Sequence, residues 1–124
     1  MILFAGIVIV NLYSAKEDIK RNEAVYELYP TQNIYTFLKL NTKNGKISQV
    51  QYSTDNDQNR IEIPLNTEPL VADDSSRAGR FVLQATHNIY NFLLLDRVTG
   101  QVWQVQWHTD HDKRGIIAEI KSVQ

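Results

Sequence analysis

The sequence predicts an all-β protein built from two tandem four-stranded antiparallel meanders. Three observations predict it: a long internal repeat, strand-length apolar runs bounded by turn residues, and the lack of a sustained 3.6-residue apolar period. Residues 33–55 (NIYTFLKLNTKNGKISQVQYSTD) and 88–110 (NIYNFLLLDRVTGQVWQVQWHTD) align at an offset of 55 without a gap, matching at 12 of 23 positions. A repeat this dense says that one supersecondary unit occurs twice.

At 124 residues the chain is one domain, or two halves that share a core. A net charge of −1 gives no electrostatic footprint for nucleic acid or an anionic membrane. The chain has no cysteine, which excludes disulfides, thiolate metal sites and a cysteine nucleophile. Aromatic residues stand out, with six Tyr, four Phe and two Trp, and most fall inside the repeated runs.

Residues 1–15 carry no charge. Their apolar run, Ile2–Val10, falls short of the roughly 20 residues a membrane span needs. It has the length of a signal-peptide apolar region, and Ser14-Ala15 offers small residues for cleavage, although no basic residue precedes it. Export to the periplasm, cell surface or medium is the expectation, and a β-branched core strand in a cytoplasmic protein is the alternative. Residues 16–24 form a polar lead-in with at most one helical turn. The first repeat then covers 25–65, a breaker-rich linker 66–79, and the second repeat 80–124.

In the first repeat the strand runs are Val25–Thr31, Ile34–Asn41, Lys46–Thr54 and Arg60–Leu65. In the second they are Arg80–Thr86, Ile89–Asp96, Gln101–Thr109 and Gly115–Ile120. Lys43-Asn44-Gly45 and Val98-Thr99-Gly100 suit three-residue hairpin loops with a left-handed glycine. Pairing outward from the second loop sets Asp96 opposite Val102, Leu95 opposite Trp103 and Leu93 opposite Val105. Alternation then assigns two faces. The first, expected to form the core, holds Ile89, Asn91, Leu93, Leu95, Trp103, Val105 and Trp107. Its counterparts are Ile34, Thr36, Leu38, Leu40, Ser48, Val50 and Tyr52. Outer strands add Phe81, Leu83, Ile116, Ala118 and Ile120, matched by Tyr26, Leu28, Ile61, Ile63 and Leu65.

The second face gathers Tyr35, Phe37, Gln49 and Gln51 in one repeat and Tyr90, Phe92, Gln104 and Gln106 in the other. Flat rings beside amides that donate and accept suit a neutral polar ligand, a glycan or a peptide, or a protein partner. The competing account is a face covered by other parts of the chain or by a second subunit, with the glutamines as cross-strand pairs. His108, Asp110, His111 and Asp112, with His87 nearby, could hold a divalent metal or form an acid–base pair. The first repeat has Ser53-Thr54-Asp55-Asn56-Asp57 there, so solvated loop residues are the expected reading. Asp55-Asn56-Asp57-Gln58-Asn59 has oxygen ligands at calcium-loop spacing but lacks the glycine at position six and the glutamate at position twelve. It reads as an Asx-turn.

The run LLLDRVTGQVWQVQ, residues 93–106, resembles a short LDxxTGxxW hairpin of bacterial β-proteins, including blade strands of some β-propellers. The first repeat follows it more loosely, with Asn41 and Ser48 for the Asp and Trp. The duplicated NIYxFLxL…GxxxQVQ pattern is similar to small uncharacterised proteins of gut-associated bacteria and implies no activity. The expected architecture is a pseudo-two-fold sandwich or small barrel, its two core faces packed together. The alternative is a pair of propeller-like blades completed by dimerisation, since a closed propeller needs at least about four blades. The expected function is a non-catalytic binding module without a cofactor, acting through the eight aromatic and glutamine residues of the second face. A self-assembling subunit is the alternative, and a metal-dependent hydrolase at His108, Asp110 and His111 a second one.

Overall fold

The computed structural model describes residues 24–123, so the expectations for residues 1–15 and most of the polar lead-in lie outside the described part. Eight strands follow in order: β1 (Tyr26–Pro30), β2 (Thr36–Asn41), β3 (Ile47–Gln51), β4 (Ile61–Asn66), β5 (Phe81–Ala85), β6 (Asn91–Asp96), β7 (Val102–Gln106) and β8 (Gly115–Glu119). They form two separate four-stranded antiparallel meanders, β1-β2-β3-β4 and β5-β6-β7-β8, as the repeat predicts. Of the closures expected, a barrel does not form: the two sheets stay distinct and touch chiefly where β2 meets β5 and β4 meets β8.

The repeat sequence explains its own turns. Before β2 and β6 the Asn33 and Asn88 side chains accept the backbone N–H groups of Tyr35 and Tyr90 at 2.9 and 3.0 Å. The Thr31 and Thr86 hydroxyls donate across the same turns to the carbonyls of Thr36 and Asn91, both at 2.7 Å. These Asx and Thr turns hold the chain before each strand begins, so Asn-Ile-Tyr belongs to the turn and both strands start two residues later than expected. Ahead of β4, Asn56 accepts the Gln58 N–H at 2.8 Å and opens a short 3₁₀ turn, the Asx-turn expected there.

The central hairpins differ from expectation by one residue. Leu95 pairs with Val102, Leu94 with Trp103, Leu93 with Gln104 and Phe92 with Val105; the first sheet matches this, with Leu40 opposite Ile47 and Leu38 opposite Gln49. The reason is the glycine. Gly100 N–H donates to the Asp96 carbonyl at 2.8 Å while Asp96 N–H donates to Gln101 O at 2.9 Å, so Gly100 and Gln101 both oppose Asp96. The glycine is the bulge residue itself, rather than the last residue of the loop. A one-residue slip turns every side chain of one strand to the other face of its partner's set. The expected faces therefore do not exist as drawn: Leu93 shares a face with Gln104, and Phe92 with Val105.

A second correction concerns symmetry. The first sheet turns Leu38, Leu40, Ile47 and Gln49 inward; the second turns Phe81, Leu83, Phe92, Leu94 and Val105 inward, and these apolar residues join one core cluster with Leu65 and Trp107. Under the offset of 55, Phe92 and Leu94 correspond to Phe37 and Lys39, which lie on the outward face of the first sheet. Equivalent leucines thus meet opposite surroundings. Leu38 is 0% exposed and its counterpart Leu93 36%, while Leu28 is 61% exposed and its counterpart Leu83 3%. A two-fold axis would bury like faces on both sheets. Here unlike faces meet, so the repeats stack in the same sense instead of facing each other. The residues Tyr26, Leu28, Ile34, Tyr52, Ile61, Ile89, Leu93 and Ile120, assigned to the core by the expected register, are exposed.

The linker is more than a spacer. Leu70 N–H donates to Asn44 O at 2.8 Å, and Leu70 and Val71 pack on the core. Gly45 sits beneath: with φ +84°, a Cβ there would lie 2.8 Å from Leu70 Cδ1 and 3.4 Å from the Phe81 ring. Gly100 has nearly the same φ, +79°, with nothing within 4 Å of such a Cβ. Gly100→Ala should therefore cost about 1–2 kcal/mol of left-handed strain. Gly45→Ala should lose a further 1–3 kcal/mol, roughly, from overpacking. Urea unfolding of both variants checks the difference, and equal losses would refute the close approach of Leu70.

Candidate functional site

The eight residues expected to share one face are divided among different environments. In the first sheet Phe37 lies opposite Val50 and turns outward, whereas Gln49 lies opposite Leu38 and turns inward. In the second sheet the division is reversed: Phe92 is buried, and Gln104 and Gln106 are on the opposite face. The bulge separates the rings from the amides in both copies.

The glutamines have individual tasks. Gln49 crosses to the other sheet, where its amide donates to His108 O and its carbonyl accepts His108 N–H, both at 3.1 Å. This two-point clamp gives both polar atoms of a buried amide a partner and fixes how the sheets sit on each other. Gln104 donates to Asn91 Oδ1 at 2.7 Å, a bond between neighbouring strands on the outward face, and Gln106 donates to Lys113 O at 2.9 Å, bracing the turn before β8. Gln51 ends β3 beside a hollow of about 220 Å³ that also takes in Tyr35, Tyr52, Thr54 and Asn59.

The aromatics likewise fall into two groups. Tyr90 packs inward, its ring centroid 5.1 Å from Trp107 and 4.6 Å from the His108 ring. Tyr35 and Phe37 form an outward cluster on Tyr52, with centroids 5.5 and 6.4 Å from it. Tyr52 was expected in the core, and it completes this group because the true register brings it to the outward side.

Two outward faces result, and they differ in character. That of the first sheet mixes Tyr26, Leu28, Phe37 and Val50 with a polar strip. Lys39 Nζ donates to Glu62 at 2.9 Å and lies 5.2 Å from the Tyr26 ring centroid, and Ser48 donates to the other Glu62 oxygen at 2.8 Å. These two donors, Lys39 first, hold the Glu62 carboxyl below its usual range. That of the second sheet is plainer: Val82, Leu95, Val102 and Ile120 form an apolar row, and in the next row Leu93 lies between Gln84 and Gln104, with Ala118 at the edge and Asn91 and Gln106 beyond. No ion pair crosses it among the described residues.

The histidine–aspartate turn is braced by hydrogen bonds. His108 is largely covered, and its Nδ1 accepts the Asp110 N–H at 2.9 Å, which places the ring hydrogen of the neutral form on Nε2. Arg114 donates to the carbonyls of His108 and Thr109, both at 2.6 Å. His111 is exposed beside Asp112, 3.3 Å away. Among the described residues no three His, Cys, Asp or Glu side chains gather as a metal-ligand set, and no helix is long and apolar enough to cross a membrane.

No protein-family model, no curated protein and no solved structure matches this chain.

Proposed function

We propose that this chain is a non-catalytic interaction module whose working surfaces are the outward faces of its two sheets, that of the second sheet taking a protein partner. The observation carrying this reading is the pair Leu38 and Leu93: the same residue at the same repeat position, fully covered in one sheet and open in the other. A solvated face of an antiparallel sheet ordinarily alternates to polar residues. The outward face of the second sheet carries Gln84, Asn91, Gln104 and Gln106 but keeps an apolar row of Val82, Leu95, Val102 and Ile120 with Leu93 beside it, and apolar surface of this kind marks interaction sites. Covering it gains about 25 cal/mol for each Å² of apolar area removed from water.

A second reading takes a neutral polar ligand, a glycan or a peptide, in the hollow beside Tyr35, Gln51 and Tyr52. There a ring pair stands next to an amide and hydroxyls, the chemistry that binds sugar faces and edges together. It is favoured by the outward Tyr35–Phe37–Tyr52 cluster, in which Tyr35 and Tyr52 are exposed among the described residues.

The protein-partner reading is tested with the full chain as bait in an extract of its own source, beside a Leu93→Arg, Leu95→Arg variant whose fold is verified by circular dichroism. The expected result is a polypeptide, another molecule of the chain or a different one, kept by the wild type and lost by the variant. Equal retention by both baits would sink the reading.

A further inference from the structure

We infer that the outward face of the second sheet is a docking surface for the outward face of the first sheet in another copy of this chain, so that copies associate head to tail. This rests on the interaction-module reading and names its partner. The argument is continuity with the contact already made inside one chain. There, Leu38, Leu40, Ile47, Gln49, Ile63 and Leu65 of the first sheet form a socket, and Phe81, Leu83, Phe92, Val105 and Trp107 of the second half fill it. At the repeat offset of 55 the socket recurs on the outward face of the second sheet as Leu93, Leu95, Val102, Gln104, Ala118 and Ile120. The plug recurs on the outward face of the first sheet as Tyr26, Leu28, Phe37, Val50 and Tyr52. These five positions of the second plug are still apolar or aromatic.

A contact between unlike faces always leaves one face of each kind unused, and these are the two left open among the described residues. Such a heterologous contact either closes into a ring or continues as a chain of copies. The second plug departs from the first in three places: Glu62 stands opposite Val50 where Ile116 stands opposite Val105, Lys39 stands where the other has Leu94, and Ser48 where it has Trp103. Lys39 and Ser48 are both bonded to Glu62, so these three polar groups arrive at the contact already partnered, which limits the penalty of covering them. The loss of the Trp103 and Leu94 side chains makes the contact between copies weaker than the one within a chain. Association should accordingly depend on concentration.

The test uses the full chain and two single variants, Leu93→Arg in the socket and Leu28→Arg in the plug, with folding verified by circular dichroism and thermal melting. Both positions are open to solvent, so neither variant disturbs the core. Size exclusion with light scattering should give the wild type a mass of two chains or more that rises with concentration. Each variant alone should run as a single chain. An equimolar mixture should recover a pair, because the intact plug of Leu93→Arg fits the intact socket of Leu28→Arg. A contact between like faces is not rescued by mixing. A wild type that stays a single chain throughout, variants whose mass matches the wild type, or a mixture that fails to pair would each overturn the inference. Occupation of the socket by residues 1–23 of the same chain reads as a single chain and overturns it equally. If the wild type is a single chain yet the bait experiment retains a different polypeptide through Leu93 and Leu95, copy-to-copy docking falls while the interaction-module reading stands. Failure of both experiments removes both.

Discussion

Trp107→Ala is expected to lower the unfolding free energy by about 3–5 kcal/mol, the usual loss for removing a fully buried large aromatic. The side chain is 1% exposed, its Nε1–H donates to Ile89 O at 2.9 Å, and Tyr90 packs on it. Truncation would open a cavity between the sheets and leave the Ile89 carbonyl without its donor, and neither loss is easily repaired where both sheets are already clamped by Gln49. The informative control is Tyr52→Ala. Tyr52 occupies the same repeat position but is 44% exposed on the outward side, so its truncation should cost at most about 1 kcal/mol, in the range of surface changes that lose one aromatic contact. A protein whose repeats faced each other across a two-fold axis would lose a similar amount at both positions. Urea unfolding of the two variants therefore tests the stacking sense directly, and similar losses would refute it.

The architecture was open to sequence reading because the repeat and the glycines announce it. Strand number, meander order, turn positions and the Asx-turn at Asn56 all follow from local chemistry that acts within a few residues. The faces were harder to read, since they depend on whether Gly45 and Gly100 close the loop or form the bulge, a difference of one residue. A signal for the bulge is nevertheless present. Asn41 and Asp96 stand four residues before those glycines, and an Asx residue favours the first position of a type I turn. Their side chains accept the N–H groups of Lys43 and Val98 at 3.0 and 2.9 Å, which starts the turn at the Asx residue and leaves the glycine as the bulge instead of the last residue of the loop. The burial of unlike faces could not be read from either repeat, because Phe37/Phe92 and Leu38/Leu93 make both faces apolar in both copies. Only the polar departures at Lys39 and Ser48 mark which face of the first sheet meets water. The candidate site suffered for the same reason: rings and amides assigned to one surface by a slipped register lie on two.

Asp96→Ala is expected to cost about 3–5 kcal/mol, as for a buried ion pair that loses one partner. The carboxylate is fully covered and accepts two parallel bonds from Arg80, Nε to Oδ1 and Nη2 to Oδ2, each at 2.9 Å. It also accepts the Val98 N–H at 2.9 Å, so one side chain joins the hairpin turn to the start of β5. Asp96→Asn separates these roles: an amide oxygen keeps the turn, as Asn41 does in the first repeat, but Arg80 remains covered without a counter-charge. Its loss should therefore fall below that of Ala and still be large. The pH dependence identifies the charge. Bonding to Arg80 first, then to the turn N–H groups, holds the Asp96 carboxyl well below the ordinary range, against the opposing effect of burial. A depressed carboxyl favours the folded state wherever it is ionised, so its contribution is complete above the unfolded value of about 3.9. As pH falls below that value the unfolded chain takes up the proton first, and this stability drains away toward the folded-state value. Wild-type unfolding free energy should accordingly fall steeply from about pH 4 downward. Asp96→Asn should lack that part of the slope, retaining the weaker one of the exposed Glu62, whose carboxyl is also lowered. Parallel acid profiles for the two proteins would show that the pair contributes little charge-dependent stability, and that the turn bonds alone account for the loss in Asp96→Ala.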